Sequence, residues 1–207
     1  MQPYLPYIIP AVATISVAII TSLTTLLGVY LKERYFPKLK QQTLSTTKST
    51  CYIELDKICA SIKDIVKANL VYIAYFHNGG HFINGVAMDK YTVVGEDYDV
   101  NCKSIKRTNK DVLVNNFPYL FHDLLVRNRH FINSVSTQPM EDRSYKEDLE
   151  DRGMKSAYTF LIKDPVKDIP IGFISLEYFA EHGFNEDDEK YIWKKQNTIA
   201  KLLNMNK

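Results

Sequence analysis

Residues 149–162 read LEDRGMKSAYTFLI, residues 171–176 read IGFISL and residues 184–189 read FNEDDE. Leu149 to Arg152 continue a charged helix that starts near Ser144 and stops at Gly153, a residue suited to helix C-caps. Ser156 to Lys163 and Ile169 to Phe179 are short, apolar and rich in β-branched and aromatic residues. They predict two strands joined by a polar turn around Asp164, Pro165 and Lys167. Gly172 leaves room inside the second strand for a neighbouring backbone. Asn185 is a candidate N-cap for a last helix from about Glu186 to Leu203. Acidic Glu186, Asp187 and Asp188 fall in its first turn, where the helix dipole favours negative charge. Ile192, Ile199, Leu202 and Leu203 form its apolar face.

Working upstream, Leu55, Ile58, Ile62, Ile65 and Val66 lie on one stripe of a helix spanning Tyr52 to Ala68, with Glu54, Lys57, Lys63, Asp64 and Lys67 facing away. Leu70 to Phe76 reads as a buried strand. Asn78-Gly79-Gly80 and Asn84-Gly85 are turn signals, and a second strand near Met88 to Gly95 returns as a hairpin. Phe117, Leu120, Phe121, Leu124 and Leu125 recur at helical spacing, and His130 to Ser136 reads as a short strand. Helices mixed with sequence-adjacent strands indicate an α+β domain with a central antiparallel sheet and flanking helices. Its first and last helices are expected on the same face.

The three opening segments together resemble a GAF domain, a relative of the PAS sensor fold. The landmarks are the Gly153-x-x-Ser156 entry into a strand, the Ile171-Gly172-x-x-x-Leu176 strand, and Phe184-x-x-x-Asp188 opening the last helix. The resemblance implies a sensory or ligand-binding module. Cyclic-nucleotide-binding members carry an Asn-Lys pair before the Phe-x-x-x-Asp-Glu motif. Here the segment is Glu177-Tyr178-Phe179-Ala180, which argues against a cyclic nucleotide. The absence of a Cys-His pair argues against a bilin. GAF-type reductases of free methionine sulfoxide need reactive pocket cysteines, for which Cys51, Cys59 and Cys102 are poorly placed. The string Tyr75-Phe76-His77-Asn78-Gly79-Gly80-His81 behind an apolar N-terminal segment looks like strings in poorly characterised bacteriophage membrane proteins.

The first 31 residues contain no Lys, Arg, Asp, Glu or His. Ile8 to Leu31 is long enough to cross a bilayer core of about 30 Å as a helix. The uncharged start and the lack of a small-x-small site argue against a cleaved signal peptide. Thr14, Ser16, Thr21, Ser22, Thr24 and Thr25 suit helix contacts in lipid. The basic residues Lys32, Arg34, Lys38, Lys40 and Lys48 follow the span, so the positive-inside tendency places the rest in the cytoplasm, at the inner membrane of a cell. The expected organisation is a transmembrane anchor over 1–31, a basic linker over 32–50 and a GAF-like domain over 51–207.

The chain has 26 Lys/Arg and 24 Asp/Glu. Setting aside those five basic residues and Glu33 leaves 21 basic against 23 acidic, a mildly acidic domain poorly suited to nucleic acid. The three cysteines show no metal-ligand or disulfide spacing.

The expected function is a membrane-anchored module that binds a small molecule and acts through a separate protein partner, without enzymatic activity, as a homodimer paired through its first and last helices. A non-enzymatic interaction protein at the membrane is the alternative. The ligand itself and any cofactor stay unidentified. A ligand is expected between the sheet and the Asn101 to Arg129 segment, near His77, Asn78, Tyr91, Tyr119, His122 and Tyr158, where aromatic walls combine with polar tips.

Overall fold

A computed structural model of the protein describes residues 21–22, 24–28, 30, 48–81, 87–139 and 141–205, with side chains at 79–81 and 87–88 excepted. The chain divides into two compact units, residues 1–47 and 48–207. In the first, the described residues of 21–30 are helical and exposed. Among the described residues, no helix is long and apolar enough to cross a membrane. The greater part of the predicted span Ile8 to Leu31 lies outside the described residues, as does most of the linker.

The second unit begins with helix α1, residues 48–66, which starts inside the predicted linker. Strands β1 (Leu70–His81) and β2 (Ala87–Tyr98) follow. A two-residue strand β3 (Val112–Leu113), a 3-10 turn (Val114–Asn116) and helix α2 (Pro118–Arg127) come next. Strand β4 (Arg129–Ile132), helix α3 (Arg143–Asp151), strands β5 (Ser156–Lys163) and β6 (Pro170–Tyr178), and helix α4 (Glu186–Asn204) complete it. The sheet order is β3-β2-β1-β6-β5-β4 and every pairing is antiparallel.

The sheet is buried on both faces. One face packs against α1 and α4 through Leu55, Cys59, Ile62, Ile73, Phe160, Ile174, Ile199 and Leu203. The first and last helices thus share a face, as the sequence implies. Pairing of β1 with β6 brings Gly172 opposite Tyr75. A Cβ at Gly172 would stand 2.2 Å from the Ala74 carbonyl oxygen, so the strand contact admits no side chain there. At the start of α4, Asn185 accepts the Asp188 N–H at 2.8 Å, the cap its sequence predicts. Gly153, at φ +72°, follows the end of α3 in a conformation glycine favours.

Three expectations are corrected. Asn78, Gly79 and Gly80 do not form the hairpin turn. They continue β1, with a register irregularity between Asn78 and His81. Glycines accommodate bulges as readily as turns, so composition alone does not separate the two. The connection lies within 82–86, outside the described residues. Ile65 is 50 % exposed, while Cys59 fills the buried stripe between Leu55 and Ile62. Tyr158 faces the α1/α4 side of the sheet rather than the Asn101 to Arg129 segment.

Candidate functional site

The opposite face carries α2, α3 and the loops between them, and its core runs through Tyr72, Tyr91, Phe121, Leu124, Tyr145, Leu149 and Phe173. β1 pairs with β6 only as far as Tyr75, because β6 starts at Pro170, whose ring nitrogen has no hydrogen to offer. The β1–β2 ribbon continues past that point through His77↔Lys90 and Asn78↔Asp89. The step between ribbon and sheet leaves a cleft of about 320 Å³. Phe76, Val114, Phe121, Leu125 and Pro170 supply apolar walls, and His77, Asn78, Asp89 and Lys90 supply polar tips.

Phe76 is anchored by ring contacts to Phe121 at 5.8 Å and to Phe173 at 5.7 Å, and Tyr91 closes the cluster 5.2 Å from Phe173. His77 stacks on Tyr75 and sits with Nε2 2.9 Å from the Thr92 hydroxyl. Thr92 Oγ1 also accepts the Asp111 N–H at 3.0 Å. The Asp111 carboxylate lies 3.4 Å from the same ring nitrogen. The imidazole is therefore held by two neighbouring elements on the Tyr75 side of the ribbon, while Phe76 faces the cleft.

A second cleft of about 450 Å³ lies on the far side of α2, between Tyr119, His122 and Arg127 on one side and Gln138, Pro139, Glu141 and Asp142 on the other. Within it Asp123 accepts from His130 Nδ1 at 2.9 Å and stands 3.7 Å from Arg127 Nε. Asp142, almost fully buried, receives the Leu120 N–H at 3.5 Å at the start of α2. Among the described residues, no group of three His, Cys, Asp or Glu side chains could hold a metal ion.

The six residues predicted from the sequence are thus divided. His77 and Asn78 line the first cleft, Tyr119 and His122 line the second. Tyr91 is buried in the aromatic cluster of the same face, where burial pushes its phenol well up. Tyr158 is on the other face. Its hydroxyl donates to the His182 carbonyl and lies 3.0 Å from the Asn133 side-chain amide, and burial raises it to about 12.

Sequence reasoning did not find the ion pair beneath α3. Glu177 of β6 is fully buried and meets Arg152, whose side chain is 13 % exposed. Arg152 also donates from Nη2 to the Asp148 carboxylate at 2.7 Å and from Nε to the Asp148 carbonyl at 3.1 Å. Burial pushes the Glu177 carboxyl up, and the guanidinium pulls it back down. Burial works against the Arg152 charge, but Glu177 outweighs it and the net shift is upward. A lone acid in an apolar strand was the available signal, since a strand flanked by helices on both faces leaves a carboxylate no solvent to reach.

No protein-family model matches the sequence. No curated protein matches it either. Solved structures do match. The phycocyanobilin-bound GAF domain from a cyanobacterial phytochrome superposes with a TM-score of 0.60 at 16 % identity, covering 80 % of this chain and 94 % of that one. The fold is that of a GAF domain. A type II free methionine-R-sulfoxide reductase from Thermoplasma acidophilum gives 0.53 at 13 % identity, over 76 % of this chain and 94 % of that one. A GAF domain/HD domain protein from Geobacter sulfurreducens gives 0.54 at 11 %, over 78 % and 94 %. At these identities the likeness establishes the GAF-like α+β architecture and nothing narrower.

Proposed function

We propose that residues 48–207 form a sensory module that binds a small molecule in the cleft beside His77. The module is tethered to a membrane by the apolar stretch Ile8 to Leu31 and passes its state to a separate partner. The observation that carries the reading is the cleft itself, in which aromatic walls meet a small set of polar tips held by cross-strand pairing. The GAF-like fold supports it, since the neighbouring GAF domain from a cyanobacterial phytochrome is phycocyanobilin-bound. Binding is favoured over reductase chemistry by the cysteines. Cys51 and Cys59 are buried on α1, and burial raises the Cys59 and Cys102 thiols, away from the reactive thiolate. Exposed Ile53 and Ile65 on α1 support pairing with a second copy. The five basic residues after the apolar stretch support a cytoplasmic domain at the inner membrane.

The test is native mass spectrometry of the detergent-solubilised full chain, comparing wild type with Leu125→Lys. Retained small-molecule mass in the wild type, reduced in the variant, is expected. An identical spectrum for both, or none retained with no cleft protection in hydrogen exchange, overturns the cleft. Carbonate washing of membranes tests the tether separately, with recovery in the wash counting against it.

A second reading, a protein-docking surface, is favoured by the outer side of α2, where Tyr119, Leu125 and Val126 are 49 %, 56 % and 64 % exposed.

A further inference from the structure

Strand β5 runs on to Lys163 after its pairing with β4 ends at Arg129↔Phe160. Two other groups take up the edge left open there. Leu161 donates its N–H to the Asn128 carbonyl at 2.9 Å, and the Gln196 side chain of α4 donates to the Leu161 carbonyl at 2.8 Å. Between these crosspieces, the β5–β6 turn and α4, a further cleft of about 310 Å³ opens at the rim of the sheet.

Most groups around it are already engaged. Trp193, half-buried, meets Phe160 edge to face at 6.0 Å, and its Nε1 donates to Glu189 at 3.2 Å. With the indole N–H taken, what Trp193 lends the cleft is aromatic carbon. The Asp164 carboxylate serves its own turn and Asn204, and Lys163 lies 3.4 Å from Asp168, so the two opposite charges offset one another. The amides are what is left over. Asn128, at φ +60°, has both backbone groups engaged, by Leu124 and Leu161, but among the described residues its side-chain amide has no hydrogen-bond partner. The Asn197 amide has none among them either, and Gln196 uses only its amino group.

We propose that this cleft binds a neutral saccharide, with one ring face on Trp193 and hydroxyls bridged among Asn128, Gln196 and Asn197. Side-chain amides donate and accept at once, as sugar hydroxyls do. They come from two elements, the α2–β4 junction and α4, so the ligand carries polar groups around its perimeter. A pyranose does so, whereas a nucleobase concentrates them along its edges. The C–H face of the same ring packs on the apolar body of an indole. An ion would meet charges already matched, and a hydrocarbon would strip water from the amides without replacing it. The site is separate from the cleft at His77 and stands or falls independently of it.

Trp193 is the only tryptophan in the chain, so its fluorescence reports on this cleft without a label. The full chain, solubilised in a detergent without a sugar headgroup, is titrated with maltose, cellobiose and N,N′-diacetylchitobiose, with glycerol and adenosine as controls. At least one disaccharide should change the Trp193 emission saturably. Asn128→Gly, which keeps the left-handed backbone, and Asn197→Ala should each weaken that binding by roughly tenfold at unchanged Tm. Leu125→Lys, in the other cleft, should leave it as it is. No saturable response to any of the three, glycerol or adenosine performing as well, or unchanged binding in both amide variants overturns the proposal. Should either variant fail to fold, NMR of wild type decides, with the Asn128 and Asn197 side-chain amides shifting on titration. Shifts elsewhere that leave these two unmoved overturn the site.

Discussion

The two faces of the sheet are built to different rules. Beneath α1 and α4, Leu55, Cys59, Ile62, Ile73, Leu176, Ile199 and Leu203 are completely or almost completely buried, and polar atoms keep to the rim. Tyr158 sends its hydroxyl outward to Asn133 and His182, and Tyr178 sends its own to the Val66 carbonyl at 3.5 Å. Beneath α2 and α3, the same strands present Tyr72, Thr159, Ser175 and Glu177 to the interior, flanked by two clefts. A hydrocarbon face carries stability at low risk, whereas a polar one does so only when each group is met. The first face therefore reads as the structural half and the second as the half free to bind.

The largest effect should come where the two faces share a strand. Gly172→Ala places a methyl group against the Ala74 carbonyl oxygen, backbone against backbone, with nothing flexible to give way. The β1–β6 pairing should fail and cooperative unfolding should vanish from circular dichroism melts. A variant that melts normally would show that the strands separate more easily than their register implies. On the dry face alone, Phe160→Ala should cost about 3–5 kcal/mol in denaturant unfolding, as large aromatic truncations in packed cores do. Phe160 touches Phe131, Phe184 and Trp193, so the cavity cannot collapse onto one neighbour.

The polar face gives a sharper contrast through a pair of measurements. Arg152→Met leaves Glu177 charged and buried without its partner and should cost about 3 kcal/mol. Adding Glu177→Leu should recover most of that loss, because replacing both members of a buried pair by apolar side chains is often neutral. If the double variant is no better than the single, the pair contributes packing rather than charge, and the distinction between the faces weakens. Removing the α4 cap with Asn185→Ala should cost only about 1 kcal/mol, read as a small shift in the denaturant midpoint.

The parts of this arrangement that were readable in the sequence are those governed by local chemistry. The β5 limits Ser156–Lys163, the α4 cap at Asn185 and the close approach at Gly172 each follow from residue type and neighbours along the chain. The face on which a β5 side chain lies was not readable, because β5 is buried on both sides and shows no polar alternation to set its phase. Tyr158 was accordingly expected in a ligand site and lies in the structural half. Strand β3 has two residues and no pattern of its own. His77 and Asn78 were singled out as the individual feature of the chain and do line a cleft. Their partners there, Val114, Phe121 and Leu125, come from far along the chain, and no spacing rule connects them.

The smallest expected effect concerns the β5–β6 turn, which touches both halves. Asp164 accepts the Val166 and Lys167 N–H groups at 2.9 and 3.0 Å and the Asn204 side-chain amide, near the end of α4, at 2.9 Å. Past the turn, Pro170 forms a wall of the binding cleft. The Lys167 and Val166 amides hold the Asp164 carboxyl below the usual aspartate range. A folded-state value below the unfolded one means that the native chain binds the proton more weakly. The carboxylate therefore stabilises the turn at pH values above the ordinary aspartate range, and the contribution fades as pH falls through the depressed value. Amide exchange at Val166 and Lys167 should accelerate in acid before the sheet opens, while β1 amides stay protected. In Asp164→Asn the acid-dependent step should be absent, with the cores of both faces unaffected at neutral pH. If Val166 and Lys167 respond to acid identically in the two proteins, another group governs the turn. If β1 opens together with them, the turn is no local joint, and the two faces respond to acid as one unit rather than two.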